Sequence, residues 1–179
     1  ILANLDVRRE KWLEKIEHSF ESFKTVVVHG ASGQGKSALC YRYVFDYYSF
    51  AFEITNVLNH NIADITATLE EISAELRIPV LIYFDIKPDE RAWVEIVREL
   101  SRHNNVHILI SIREEDWNTT SNILDRIIEY GDIYLDLSED EAKSIFIANC
   151  PSAPLSNFYD IWEMLGEDVP LLEYLYSIK

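Results

Sequence analysis

Basic residues are scarce in this chain: 16 Lys and Arg stand against 31 Asp and Glu, a formal net charge of −15 over 179 residues. A surface of that sign repels nucleic acid and anionic lipid unless its cations gather locally. The nearest approach to a cluster, Arg8, Arg9, Lys11 and Lys15, is interleaved with Glu10 and Glu14 and reads as an ordinary solvated helix face. Bulk nucleic-acid binding by this segment is not expected. Cysteine is nearly absent as well. Cys40 and Cys150 lie far apart without metal-ligand spacing, which reads as two small buried hydrophobes in a reducing cytoplasm. No apolar run approaches the roughly 20 residues of a membrane helix, and no signal peptide opens the chain, so no membrane partner is expected. With 48% hydrophobic residues and only 5 Gly and 5 Pro, a disordered or low-complexity chain is excluded. The length suits one core domain and the start of a second. Ile1 at the start and a lone Met164 lead us to expect a segment of a longer protein, with sensor or effector modules outside it.

Three of the five glycines, Gly30, Gly33 and Gly35, fall within six residues, and Lys36 and Ser37 follow at once. The stretch Gly30-Ala31-Ser32-Gly33-Gln34-Gly35-Lys36-Ser37 fits G-x-x-x-x-G-K-[ST] in full. A β-branched run at residues 25–29 precedes it and reads as a buried strand; a glycine-free stretch from Ala38 follows and continues as a helix. Strand, glycine loop and helix are the order a phosphate-binding loop requires. Its glycines allow positive φ, so that backbone N–H groups turn inward on phosphate oxygens, and the helix N-terminus adds its positive dipole end. Gly30, Ser32, Gly33, Gln34, Gly35, Lys36, Ser37 and Ala38 are therefore the candidate phosphate cradle. Within it, Lys36 is the charge for the β- and γ-phosphates and Ser37 a ligand for Mg²⁺.

Such a loop needs an acid at the end of a neighbouring strand. Val80-Leu81-Ile82-Tyr83-Phe84-Asp85 runs into an aspartate where α/β sheets place ligands. Asp85 is the candidate Walker B carboxylate for Mg²⁺, the alternative being a cap for the next helix. Ile86 stands where many hydrolysing relatives carry a second acid, which implies slow turnover or a water oriented by another group. Asp89 and Glu90 lie close by, but Pro88-Asp89-Glu90 reads equally as the start of a helix. The apolar strand Val106–Arg113 ends in an arginine able to report a γ-phosphate, or to pair with Glu114, Glu115 or Asp116.

Ile62, Ile65, Leu69, Ile72 and Leu76 recur at helical spacing, as do Trp93, Ile96, Val97 and Leu100. A first helix over residues 7–20, a strand at 49–54 and a last strand at 133–137 complete the core. Tyr41, Tyr43, Tyr47 and Tyr48 read as core and sheet packing. Strands alternating with helices imply an α/β fold with a mainly parallel sheet covered on both faces. Past Leu137 the strand signals stop. Ser138-Glu139-Asp140-Glu141 makes a capping box for a helix to about residue 149. A second helix over 155–165 ends at Gly166, and a third starts at Pro170. Residues 1–137 are thus expected to form the nucleotide-binding core and 138–179 a helical lid.

The phosphate loop, the Val80–Asp85 strand and Ile110-Ser111-Ile112-Arg113-Glu114-Glu115-Asp116-Trp117 together resemble the STAND-type P-loop NTPases, more narrowly the bacterial STAND ATPases of antiphage and conflict systems. Gly166-Glu167-Asp168-Val169-Pro170 resembles that family's GxP element, with a longer spacing; the resemblance implies that Pro170 packs on adenine. It also implies an ATP/ADP switch. ADP holds core and lid closed, a trigger (such as a phage protein) sensed by another domain permits exchange, and self-association activates a fused effector in antiviral defence. Lys36, Asp85 and Arg113 are the catalytic candidates, with Mg²⁺ on Ser37 and Asp85. Competing readings are an AAA+-like remodeller or loader, a small-molecule kinase and a binding-only P-loop module. Residues 138–179 hold no arginine and only Lys143 and Lys179 as cations, which disfavours the first two.

Overall fold

Alternation along the strands sets the architecture. The computed structural model describes residues 8–55, 62–76, 79–166 and 168–178. Five strands, β1 (Thr25–Gly30), β2 (Ala51–Ile54), β3 (Val80–Asp85), β4 (Val106–Arg113) and β5 (Gly131–Tyr134), form one sheet in the order β2-β3-β4-β1-β5. All four pairings are parallel. Successive strand residues point to opposite faces, so a strand covered on both sides must be apolar almost throughout. Val26, Val28, Leu81, Tyr83 and Leu109 face one side and pack on α1 (Glu10–Ser22) and α2 (Lys36–Tyr47). Val27, Ile82, Phe84, Ile108, Ile110 and Ile112 face the other. There they meet α3 (Ile62–Leu76), α4 (Trp93–Leu100) and α5 (Glu114–Leu124) through Leu69, Trp93 and Trp117 among others.

The register brings the functional candidates to one edge. Asp85 lies opposite Ser111, and Gly30 lies opposite Arg113, so the ends of β1, β3 and β4 meet at the carboxyl side of the sheet. The C-terminal helices α6 (Glu139–Asn149), α7 (Leu155–Leu165) and α8 (Leu171–Ser177) gather around their own cluster of Leu137, Ile145, Phe146, Phe158, Leu171 and Tyr174. Gly166 ends α7 at φ 88°.

Several expectations need correction. The first helix starts at Glu10, with Arg9 half-extended before it, and runs to Ser22; residues 1–7 lie outside the described residues. The last strand is Gly131–Tyr134, displaced toward the N-terminus from 133–137. Its last residue lies opposite His29, one residue before β1 ends at Gly30, and Leu135 N still donates to His29 O at 2.7 Å. Likewise β2 begins at Ala51. Pro88-Asp89-Glu90 does not open a helix: Glu90 N donates to Lys87 O at 3.2 Å in a turn, and α4 begins at Trp93. Leu69 is buried and Ile65 and Ile72 half-buried, while the side chains of Ile62 and Leu76 lie outside the described residues. Cys40 is buried but Cys150 is only half-buried, its thiol donating to Ile178 O at 3.2 Å. Tyr43 is buried and stacks on Phe20 and Tyr47, as packing requires, although Tyr47 itself is exposed. Arg9 is not on a solvated face at all.

Trp93 is fully buried, with its indole N–H donating to Glu90 O at 3.1 Å. Trp93→Ala should lower the unfolding free energy in urea by about 3–5 kcal/mol, whereas Phe45→Ala, at an exposed site, should change it by less than about 0.5 kcal/mol.

Candidate functional site

Between β1 and α2 the chain turns through Gly33 at φ 84° and Gly35 at φ 81°, a left-handed backbone that side chains with a Cβ rarely adopt. Gly35 caps α2, so the first amides of that helix open toward the loop. A cavity of about 310 Å³ lies there, lined by Ser32, Gly33, Gly35, Lys36, Ser37, Ala38, Asp85, Ile86 and Arg113, with Lys87, Pro88, Ser111 and Ile112. Eight of the sequence-derived candidates therefore share one cavity. Gly30, Gln34 and Pro170 do not line it. Gly30 is the last residue of β1, while Gln34 and Pro170 belong to the contact with α8 on another side of the loop.

Lys36 is buried and bent back over its own loop, its ammonium donating to Gly30 O and Ala31 O at 2.9 Å each. Burial holds its pKa below the ordinary lysine value; Glu115 and Asp85 pull the other way, and Arg113 pushes with burial. Ser37 Oγ donates to Asp85 Oδ1 at 2.9 Å. Ser111 Oγ also donates to that oxygen and is itself hydrogen-bonded to Tyr83 OH at 2.9 Å. A hydroxyl and a carboxylate, both hard oxygen donors, fit the one or two protein ligands Mg²⁺ takes beside phosphate and water. Ser37 and Asp85 are the residues that would hold it.

Arg113 lines the cavity from the end of β4, and among the described residues it has no ion-pair partner. Two of the acids after it are otherwise engaged. Glu114 Oε2 is 2.6 Å from His29 Nδ1, and Asp116 Oδ1 accepts from Asp89 N at 3.2 Å. The alternative pairing of Arg113 with Glu114, Glu115 or Asp116 does not form among the described residues. Ile86 is 7% exposed and packs in the core, its amide donating to Ser111 O at 2.9 Å. Neither Asp89 nor Glu90 lines the cavity, and the Glu90 carboxylate accepts from Lys87 N at 3.3 Å.

The C-terminal helices rest on the glycine loop from outside the cavity. Leu172 N donates to Gly33 O at 3.0 Å, and Leu171 N to Gln34 Oε1 at 3.3 Å. Pro170 is the N-cap of α8, and its Cβ lies 3.3 Å from where a Cβ on Gly33 would sit. Residues missed by sequence reasoning are Ser111, His29 and Arg9. Ser111 left a signal as the lone hydroxyl in an apolar strand; His29 and Arg9 left none, since their partners are remote in sequence.

No protein-family model matches the chain, and no curated protein matches it. Solved structures do. A Walker-type ATPase of Pyrococcus abyssi superposes with a TM-score of 0.65 at 13% identity, covering 96% of this chain and 66% of that one. A Signal Transduction ATPase with Numerous Domains (STAND) from Pyrococcus horikoshii, with a tetratricopeptide-repeat sensor, gives 0.58 at 14% identity, over 98% of this chain and 32% of that one. A katanin structure concerned with self-assembly gives 0.51 at 20% identity, over 79% and 52%. The fold is that of the P-loop ATPases, as found in a STAND protein. This chain spans a third to two thirds of the length of these neighbours. Among the described residues no helix is long and apolar enough to cross a membrane.

His29 stands between two carboxylates, with Nε2 2.7 Å from Asp132 Oδ1 as well as Nδ1 on Glu114. Burial lowers its pKa, but the hydrogen bonds and charges of Asp132 and Glu114 outweigh burial, and the net value lies above the ordinary 6.5. The folded state thus holds this proton more tightly than the unfolded chain. Its stabilisation is complete below about pH 6.5 and is lost as pH rises through the folded value. The ring should titrate above 6.5 by NMR, and His29→Gln should flatten the fall of stability with rising pH over that interval. A ring titrating below 6.5 would contradict the arrangement.

Proposed function

We propose that this segment is the nucleotide switch of a STAND-type ATPase, binding ATP and ADP with Mg²⁺ and hydrolysing ATP slowly. The observation that carries this reading is that one glycine loop faces two ways. Lys36, Ser37, Asp85 and Arg113 meet on its cavity side, and α8 is hydrogen-bonded to Gly33 and Gln34 beyond it. A phosphate entering the cavity must displace the Lys36 ammonium from Gly30 O and Ala31 O, and the loop that moves with it carries the lid, residues 138–179.

In this reading the loop amides and Lys36 hold the β- and γ-phosphates, and Arg113 contacts the γ-phosphate alone. Mg²⁺, when bound, neutralises phosphate charge. Ser37 and Asp85 orient it, and Ser111 with Tyr83 keep Asp85 in place. The buried Ile86, where a second acid would orient water, accounts for slow turnover. The ADP form keeps the lid closed. A trigger recognised elsewhere in the parent protein permits exchange for ATP, self-association and activation of a fused effector. The neighbouring STAND protein carries a tetratricopeptide-repeat sensor, the kind of module such a switch answers to. Bacterial antiviral defence as the setting rests on the sequence resemblance alone.

Lys36→Ala should slow ATP turnover by about 100-fold or more, since it removes a charge aimed at the transferring phosphoryl group. Turnover at the normal rate in that variant would refute the assignment, while normal nucleotide binding by the unaltered chain with no turnover would leave a binding-only module. Arg113→Ala should leave ADP affinity within about threefold while abolishing the preference-dependent response to ATP, a coupling of the usual size. Equal loss for both nucleotides would make Arg113 a structural residue.

A further inference from the structure

Arg9 is a buried cation whose side-chain hydrogen-bond partners, among the described residues, are remote in sequence. Its side chain is 3% exposed. Nη1 donates to Gln34 O at 2.8 Å, and Nη2 donates to Asp136 O and, at 2.8 Å, to Glu141 Oε2. Nε donates to the other Glu141 oxygen, completing a two-pronged pair. Trp12 Nε1 reaches Glu141 Oε2 at 3.3 Å. One guanidinium therefore joins the phosphate loop, the linker before the lid and the first lid helix. Glu141 is diverted to this purpose. Ser138 accepts from Glu141 N at 3.4 Å, as in a capping box, yet the Glu141 carboxylate goes to Arg9 rather than back to the cap. Gln34, 4% exposed, is held twice, its carbonyl by Arg9 and its side-chain oxygen by Leu171 N.

We propose that Arg9 and Glu141 are a latch, a pair of positioning residues that holds the lid on the phosphate loop and fixes the loop through the Gln34 carbonyl. The proposal deepens the switch reading and rests on it for the identity of the loop. Its physics is that of a partly buried ion pair: Arg9 is buried and Glu141 half-buried, so without Glu141 the arginine is an uncompensated buried charge, the closed form needs both, and opening releases both together. Loosening the lid by a partner is then felt at Gln34 and Gly33, and a change of loop shape on nucleotide exchange is felt at α6. The equilibrium between latched and released lid is what nucleotide and partner would both bias.

A double-mutant cycle tests the pair in the 179-residue chain, comparing Arg9→Met, Glu141→Leu and both together. Nitroxides on exposed Asn122 of α5 and Ser156 of α7, with the native cysteines replaced, report the core–lid distance by double electron–electron resonance without nucleotide. Calorimetry with Mg·ADP reports the loop. Each single variant should broaden and lengthen the distance distribution and weaken Mg·ADP by about tenfold; the double variant should lose no more than the worse single. Distances unchanged in every variant, or losses that simply multiply, would overturn the latch. If the Met or Leu variant does not fold, Arg9→Lys and Glu141→Gln take their places under the same criteria. A narrow distance in the unaltered chain that broadens on substitution, with no Mg·ADP binding at all, would remove the nucleotide reading and leave the lid contact standing.

Discussion

A glycine loop with a cavity on one side and a packed helix on the other is the constraint on which the rest of this structure depends. Gly33 and Gly35 turn the backbone left-handed, and a side chain at either would also press on the C-terminal helices: a Cβ on Gly35 would meet Leu171 Cδ2 at 3.2 Å. The wall of the cavity and a seat for α8 therefore come from the same two residues. The sheet supplies the frame. Because β4 lies between β1 and β3 in parallel register, the loop, Asp85 and Arg113 arrive at one edge without any long excursion of the chain.

Charge is managed locally within a chain of net −15. Anionic ligands would be repelled by such a molecule at long range, so attraction must come from cations and dipoles at short range. Lys36 and Arg113 line the cavity together with the opening of α2. Of the acids that follow Arg113, Glu114 is drawn off by His29 and Asp116 by the Asp89 amide. His29 thus does for the site what no sequence pattern announces: it keeps a neighbouring carboxylate occupied away from the arginine.

The sheet and the glycine loop were legible in the sequence because their signals are local. Apolar runs ending in Gly30, Asp85 and Arg113 mark strands that a parallel sheet aligns, and the glycine spacing marks the turn. Boundaries were less legible, since β5 pairs with β1 only as far as Tyr134 opposite His29, while its own apolar residues run on to Leu137. The least legible features were those joining distant positions. Arg9 and Glu141 are 132 residues apart, and nothing in Arg8-Arg9-Glu10 distinguishes a buried arginine from a solvated one. The seating of Pro170, Leu171 and Leu172 on the loop is likewise a tertiary fact, set by packing around Phe158 and Tyr174.

What unites these observations is the proposal that the amides of the glycine loop form a cradle for a polyphosphate. The most direct test is an amide NMR titration of the chain with Mg·ADP. The account requires saturable shifts concentrated at Gly33, Gly35, Lys36 and Ser37, followed by α8 residues such as Leu171 and Leu172. An unchanged spectrum, or shifts confined to surfaces away from the loop, would contradict it.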